Sequence, residues 1–157
     1  MDETLKNRKP KTHWWDLNSG MRMLHQIDSL ILEYIQDVLR RKNLTKNPFI
    51  LDAGGEGGIL AEPLARSGYT IHGIDVSKGA VEAAREHAKL DPCLNKKVSY
   101  EWESIEDHCL NNGEKYDVVI LNNVLHHAKN HDENLRGCIK VLKPEGIIFV
   151  SGTNKNF

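Results

Sequence analysis

Hydrophobic and polar positions along this chain switch between two periods. Over residues 21–41, Leu24, Ile27, Ile31, Tyr34, Ile35 and Val38 recur at helical spacing, which predicts an amphipathic helix. After Pro48 the pattern becomes a short apolar run, Phe49–Ala53, that reads as a buried strand. The two patterns then alternate. A helix is predicted over 59–67 with Gly68 as its stop, and a second strand over Thr70–Asp75. Ser77 is placed to cap a helix over 78–90, which Asp91-Pro92 ends. A third strand is predicted over 98–103 and a fourth over 116–121, where Val118-Val119-Ile120-Leu121 suits burial on both faces. A helix over 132–142, a turn at Pro144-Glu145-Gly146 and a fifth strand over 147–151 complete the series. Strands alternating with helices predict an α/β fold built on a doubly wound, mostly parallel sheet.

Composition narrows the classes. A chain of 157 residues is expected to form one domain, 1–157, with an N-terminal helix over 20–41 and a core over 48–157. The formal net charge of -1 argues against nucleic acid as a partner. Cys93, Cys109 and Cys138 are dispersed and read as reduced thiols of an intracellular protein. No apolar run approaches the roughly 20 residues that a membrane span needs. The start, Lys6-Asn7-Arg8-Lys9-Pro10-Lys11, is basic but too short to make a transit peptide. Trp14-Trp15 beside it admits two uses, as anchors at a lipid surface or as a lid packed on the core.

Candidate chemistry gathers at Asp52-Ala53-Gly54-Gly55-Glu56-Gly57-Gly58. Strand, glycine loop and helix together present backbone N–H groups to a ligand. Asp75 closes the second strand, where a carboxylate accepts both hydroxyls of a ribose. Loop and acid alone fit a nicotinamide dinucleotide as well as S-adenosylmethionine, and a structural turn beside a solvated aspartate is the plainer alternative. The dinucleotide spacing fails, however. Counted from Gly55 the third glycine falls on Leu60, and counted from Gly54 the second falls on Glu56.

Further segments make the pattern specific. Trp14-Trp15-Asp16, Leu24-His25, Tyr34-Ile35, Ile50-Leu51-Asp52-Ala53-Gly54, Gly57-Gly58-Ile59-Leu60-Ala61-Glu62-Pro63-Leu64 and Gly73-Ile74-Asp75 follow in order. Tyr116-Asp117-Val118-Val119, Val124-Leu125-His126-His127, Val141-Leu142-Lys143-Pro144-Glu145-Gly146 and Thr153-Asn154-Lys155 continue the series. In these segments the chain resembles the ubiquinone-biosynthesis O-methyltransferases, class I S-adenosylmethionine-dependent enzymes. The segment 91–97 resembles their eukaryotic, mitochondrial branch. The resemblance implies S-adenosylmethionine as cofactor, held by Asp52, Gly54, Gly58, Asp75, Ser104 and Asn122. It implies methylation of a polyprenylated catechol, with His127 as general base, since imidazoles as a class titrate near neutral pH. It also implies a divalent metal, magnesium, at positions 123, 126 and 127, and a site peripheral to the inner mitochondrial membrane; without the resemblance, cytoplasm is the expectation.

The chain departs from the family pattern where cofactor and metal are held. Glu56 replaces a glycine, Ile31 an arginine in the first helix, and the metal positions are Asn123, His126 and His127. Magnesium wants oxygen ligands, whereas imidazole suits zinc, copper or iron. The full fold of the class has two more strands beside strand five. Without them strand five is expected to present an apolar edge that invites a protein partner or a second copy. The expected function is thus an O-methyltransferase; the alternative is a catalytically impaired, methyltransferase-like subunit of a biosynthetic complex.

Overall fold

The segments Phe49–Ala53 (β1) and Tyr116–Asn122 (β4) are buried along almost their whole length, and they lie side by side in the middle of the sheet. The computed structural model describes residues 22–42, 44, 47–128 and 130–152. The helix Arg22–Lys42 (α1) comes first, with Arg40, Arg41 and Lys42 in its last turn, where cations suit the helix dipole. Then follow β1, the helix Ala61–Arg66 (α2), the strand Thr70–Asp75 (β2) and the helix Lys78–Lys89 (α3). The strand Val98–Trp102 (β3), the helix Ile105–Asn111 (α4), β4, the helix His131–Val141 (α5) and the strand Leu142–Ser151 (β5) complete the order.

The five strands are parallel and ordered β3-β2-β1-β4-β5. This is the predicted doubly wound α/β sheet. Alternate residues divide the core into two layers, as the pleat requires. Ile50, Ile71, Val118 and Ile120 pack with Ile35 and Leu39 of α1 and Leu64 of α2. Leu51, Val119 and Leu121 pack on the other face with Cys138 and Val141 of α5. Asp117 ties strands together at the amino end of the sheet. Its carboxylate accepts the Phe49 N–H at 2.8 Å and the Lys143 Nζ at 2.9 Å. Strand order reverses between β1 and β4, and the carboxyl ends around that point are where open α/β sheets bind ligands.

Three details differ from expectation. The second helix is shorter than 59–67 because the positive φ angles of Gly57 and Gly58 keep the chain in turns until Leu60. Helix α4 was not expected; Ser104 caps it, with Asp107 N–H donating to Ser104 Oγ at 3.0 Å. The predicted turn at 144–146 sits inside β5 as an irregularity. Leu142 pairs with Tyr116 and Ile147 with Val118, while Glu145 takes φ +65°. All three cysteines are free: Cys138 is buried, Cys109 half-buried and Cys93 exposed. Among the described residues no strand pairs with the outer edge of β5, and no helix is long and apolar enough to cross a membrane. Trp14-Trp15, the basic start and Thr153-Asn154-Lys155 lie outside the described residues.

Candidate functional site

The loop after β1 is pinned before it reaches any ligand. The N–H groups of Gly54 and Gly55 both donate to the Ile74 carbonyl of β2, at 2.8 and 3.2 Å. Gly54 has φ +84°, and a Cβ there would stand 2.5 Å from Val124 Cγ2, in the segment after β4. The glycine is therefore required by both backbone conformation and close approach. Gly58, at φ +87°, lies against the Tyr100 hydroxyl, which any side chain would displace. Glu56 also has a positive φ, +38°, with a side chain to accommodate.

Asp75 holds this loop in place. Its Oδ2 accepts the Glu56 N–H at 3.1 Å and its Oδ1 accepts the Ser77 N–H at 2.7 Å. Burial raises its carboxyl above the ordinary range, and these two hydrogen bonds pull it back. A carboxylate has about four acceptor positions, so Asp75 can take further donors.

Asp52 stands under the loop at 1% exposure. Its Oδ2 has no hydrogen-bond partner among the described residues, and a Cβ on Gly55 would lie 2.8 Å from it. The carboxyl is pushed up to about 7, first by burial and then by the charges of Asp75, Asp28 and Glu56. Asp28 comes from α1. It accepts the Asn122 Nδ2 at 2.9 Å, and Asn122 Oδ1 in turn accepts the Ser151 hydroxyl. Asp28, Asp52, Gly54, Gly55, Glu56 and Asn122 thus line one narrow cleft. Beside it, linked through the Ser151–Asn122 hydrogen bond, runs an apolar groove of about 230 Å³ between α1 and β5. Leu30, Tyr34 and Val150 are more than half exposed there, and Tyr34 meets Phe149 edge to face at 6.1 Å.

The expected site residues fall into groups. Asp52, Gly54, Asp75 and Asn122 come together around the loop, with Gly58 behind it against Tyr100. Ser104 follows β3, where Glu103 N–H donates to the Asp75 carbonyl at 3.2 Å; its hydroxyl is taken up in capping α4. Ile31 packs against the core. Asn123 has φ +51° and donates its N–H to the Ser151 carbonyl at 3.0 Å. His126 and His127 are exposed on a single 3₁₀ turn, Leu125–His127, with ring centroids 3.8 Å apart. One amide and two imidazoles do not suit magnesium, which prefers an octahedron of oxygens. Among the described residues no three His, Cys, Asp or Glu side chains gather as metal ligands. Sequence reasoning missed Asp28, Tyr100 and Ser151. Asp28 had a signal: it is an acid inside the apolar stripe of α1, between Ile27 and Ile31.

Comparison with known proteins adds the following. Residues 51–150 match the family described as methyltransferase domain. The chain is 38% identical over 154 residues to the ubiquinone biosynthesis O-methyltransferase of Vibrio parahaemolyticus, covering 98% of this chain and 63% of the relative. It is 32% identical to the mitochondrial ubiquinone biosynthesis O-methyltransferase of Rattus norvegicus, covering 98% of this chain and 48% of the relative. The chain therefore spans from about half to just under two thirds of these curated relatives. Among solved structures, the magnesium protoporphyrin IX methyltransferase of Synechocystis with bound S-adenosylmethionine superposes with a TM-score of 0.71. That likeness covers 90% of this chain and 69% of that one at 18% identity, and it concerns the fold.

Proposed function

This chain belongs to the class I methyltransferase-domain family, and we propose that it binds S-adenosylmethionine at the glycine loop and methylates an oxygen of a polyprenylated catechol. The observation that carries this reading is Asp75, at the carboxyl end of β2 next to the glycine loop, with its carboxylate bound to the loop N–H of Glu56. The residues fit the cofactor. Asp75 keeps acceptor positions for a ribose diol, and the orphaned Asp52 oxygen offers a partner to a cationic arm. When bound, the cofactor supplies a methyl group on a sulfonium. The chain's own work is to place the acceptor oxygen in line with that methyl group and to remove its proton.

His127 is the candidate for the proton. It sits on the turn after β4, at the same carboxyl edge of the sheet as Asp75. The apolar groove along α1 and β5 suits a polyprenyl chain, and Ser151 joins it to the cleft. Magnesium does not suit the side chains at 123, 126 and 127, so no step passes through a metal. The names of the relatives support ubiquinone biosynthesis as the setting, and the rat relative's name supports a mitochondrial compartment.

A second reading, a non-catalytic subunit that keeps the fold, draws on Glu56 in the loop and on Ile31 packed against the core where the family pattern has an arginine. Incubation with methyl-labelled S-adenosylmethionine and a prenylated catechol separates the two. Catalysis predicts a labelled methyl ether, and a loss of roughly 10²–10⁴-fold in kcat for His127→Ala. A folded chain that binds cofactor but transfers no label would favour the subunit.

A further inference from the structure

Among the described residues, the narrow cleft beside the glycine loop is lined by three carboxylates and by no lysine, arginine or histidine. The acids arrive from two separate elements: Asp28 from α1, Asp52 and Glu56 from β1 and the loop that follows it. Asp28 and Asp52 are 7% and 1% exposed, so water screens them poorly. Asp28 is matched by the Asn122 amide. Asp52 is not: its Oδ2 is buried, without a hydrogen-bond partner among the described residues, and it lies against the loop at Gly55. Buried acceptors in native proteins are nearly always satisfied, so an orphan at the wall of a ligand cleft points to a donor that arrives with the ligand. Glu56 strengthens the case. The loop keeps it at φ +38°, a conformation that favours glycine, and so places a further acid on the cleft wall.

We propose that Asp28, Asp52 and Glu56 make this cleft a reader of positive charge on the cofactor's aliphatic arm, selecting for the sulfonium and the ammonium and against the carboxylate. The proposal rests on the S-adenosylmethionine reading above. Its content is specificity. The site should favour a sulfonium over the neutral thioether left after methyl transfer, which would help the spent cofactor to leave. It should favour still more an arm that carries the ammonium and lacks the carboxylate.

Calorimetric titration of the full chain with three probes tests this: S-adenosylmethionine, S-adenosylhomocysteine and decarboxylated S-adenosylmethionine. The expected Kd order is decarboxylated S-adenosylmethionine tightest and S-adenosylhomocysteine weakest, with about tenfold or more between S-adenosylmethionine and S-adenosylhomocysteine. Glu56→Gln and Asp28→Asn keep side-chain size, and Asp28→Asn keeps an acceptor for Asn122. Each should shrink that ratio at least threefold while unfolding stays cooperative. S-adenosylhomocysteine binding as tightly as S-adenosylmethionine, or a ratio unmoved in both variants, overturns the proposal and leaves the cofactor reading standing. Failure of all three probes to bind a folded chain overturns both.

Discussion

Glu56 places a charged side chain where the backbone, at φ +38°, favours glycine. The left-handed region costs a non-glycine residue about 1 kcal/mol. Glu56→Gly should therefore raise the stability of the chain by about 1 kcal/mol, or roughly 2–4 °C in Tm by calorimetry. An unchanged or lower Tm would mean that the loop carries no such strain. Asp52 makes a second prediction. Its carboxyl is raised from 3.8 to about 7, chiefly by burial. A raised acid stabilises the fold while it is protonated. Its contribution is complete below 3.8 and is lost as pH climbs through about 7. Urea unfolding across that window should show the parent losing stability relative to Asp52→Asn as pH rises; parallel curves would contradict the assignment. Asp75 was legible because it closes β2, and strand ends face the ligand in this fold, whereas Asp52, one residue short of the end of β1, stood out only through the resemblance. The role of Asp28 was not, because only the packing of α1 against the loop brings it to Asn122 and the cleft.

Among the elements, the buried parallel strands read most directly. The ranges Phe49–Ala53 and Thr70–Asp75 agree with expectation: the first is nearly all buried, and the second sets Ile71 and Ile74 in the core between the turn signals at Gly68 and Ser77. Helix α3 read well too: Ser77 accepts the Ala80 N–H, as a cap should. Helix α4 did not. It has seven residues, too few to display a period, and Leu110 at its surface is 83% exposed. Its signal was local: Ser104 and Asp107 exchange two hydrogen bonds, at 2.7 and 3.0 Å. Ser104→Ala should cost about 1 kcal/mol in denaturant unfolding, and Ser104→Gly only a few tenths. Equal losses for the two variants would show that the hydroxyl stabilises something other than the helix end. The lengthening of β5 was hidden because the Pro144-Glu145-Gly146 turn is accommodated within a strand pairing that resumes at Ile147.

At the scale of the molecule, the alternation of elements made a doubly wound sheet legible, while the order β3-β2-β1-β4-β5 brings together groups far apart in sequence. It sets Asp28, Asn122 and Ser151 in one hydrogen-bonded line between the cleft and the apolar groove. The resemblance to methyltransferases covered the loop and the strand ends. It did not indicate that the loop would be surrounded by acids or that Asp75 would hold it shut. The central claim is that the glycine loop and Asp75 hold S-adenosylmethionine, and calorimetric titration of that cofactor into the parent chain and into Asp75→Asn tests it most directly. Hydrogen bonds to a charged group are worth about 1.5–3 kcal/mol, so one saturable site in the parent and at least tenfold weaker binding in the variant are predicted. No binding by the folded parent at millimolar cofactor, or equal affinity in the two chains, would contradict it.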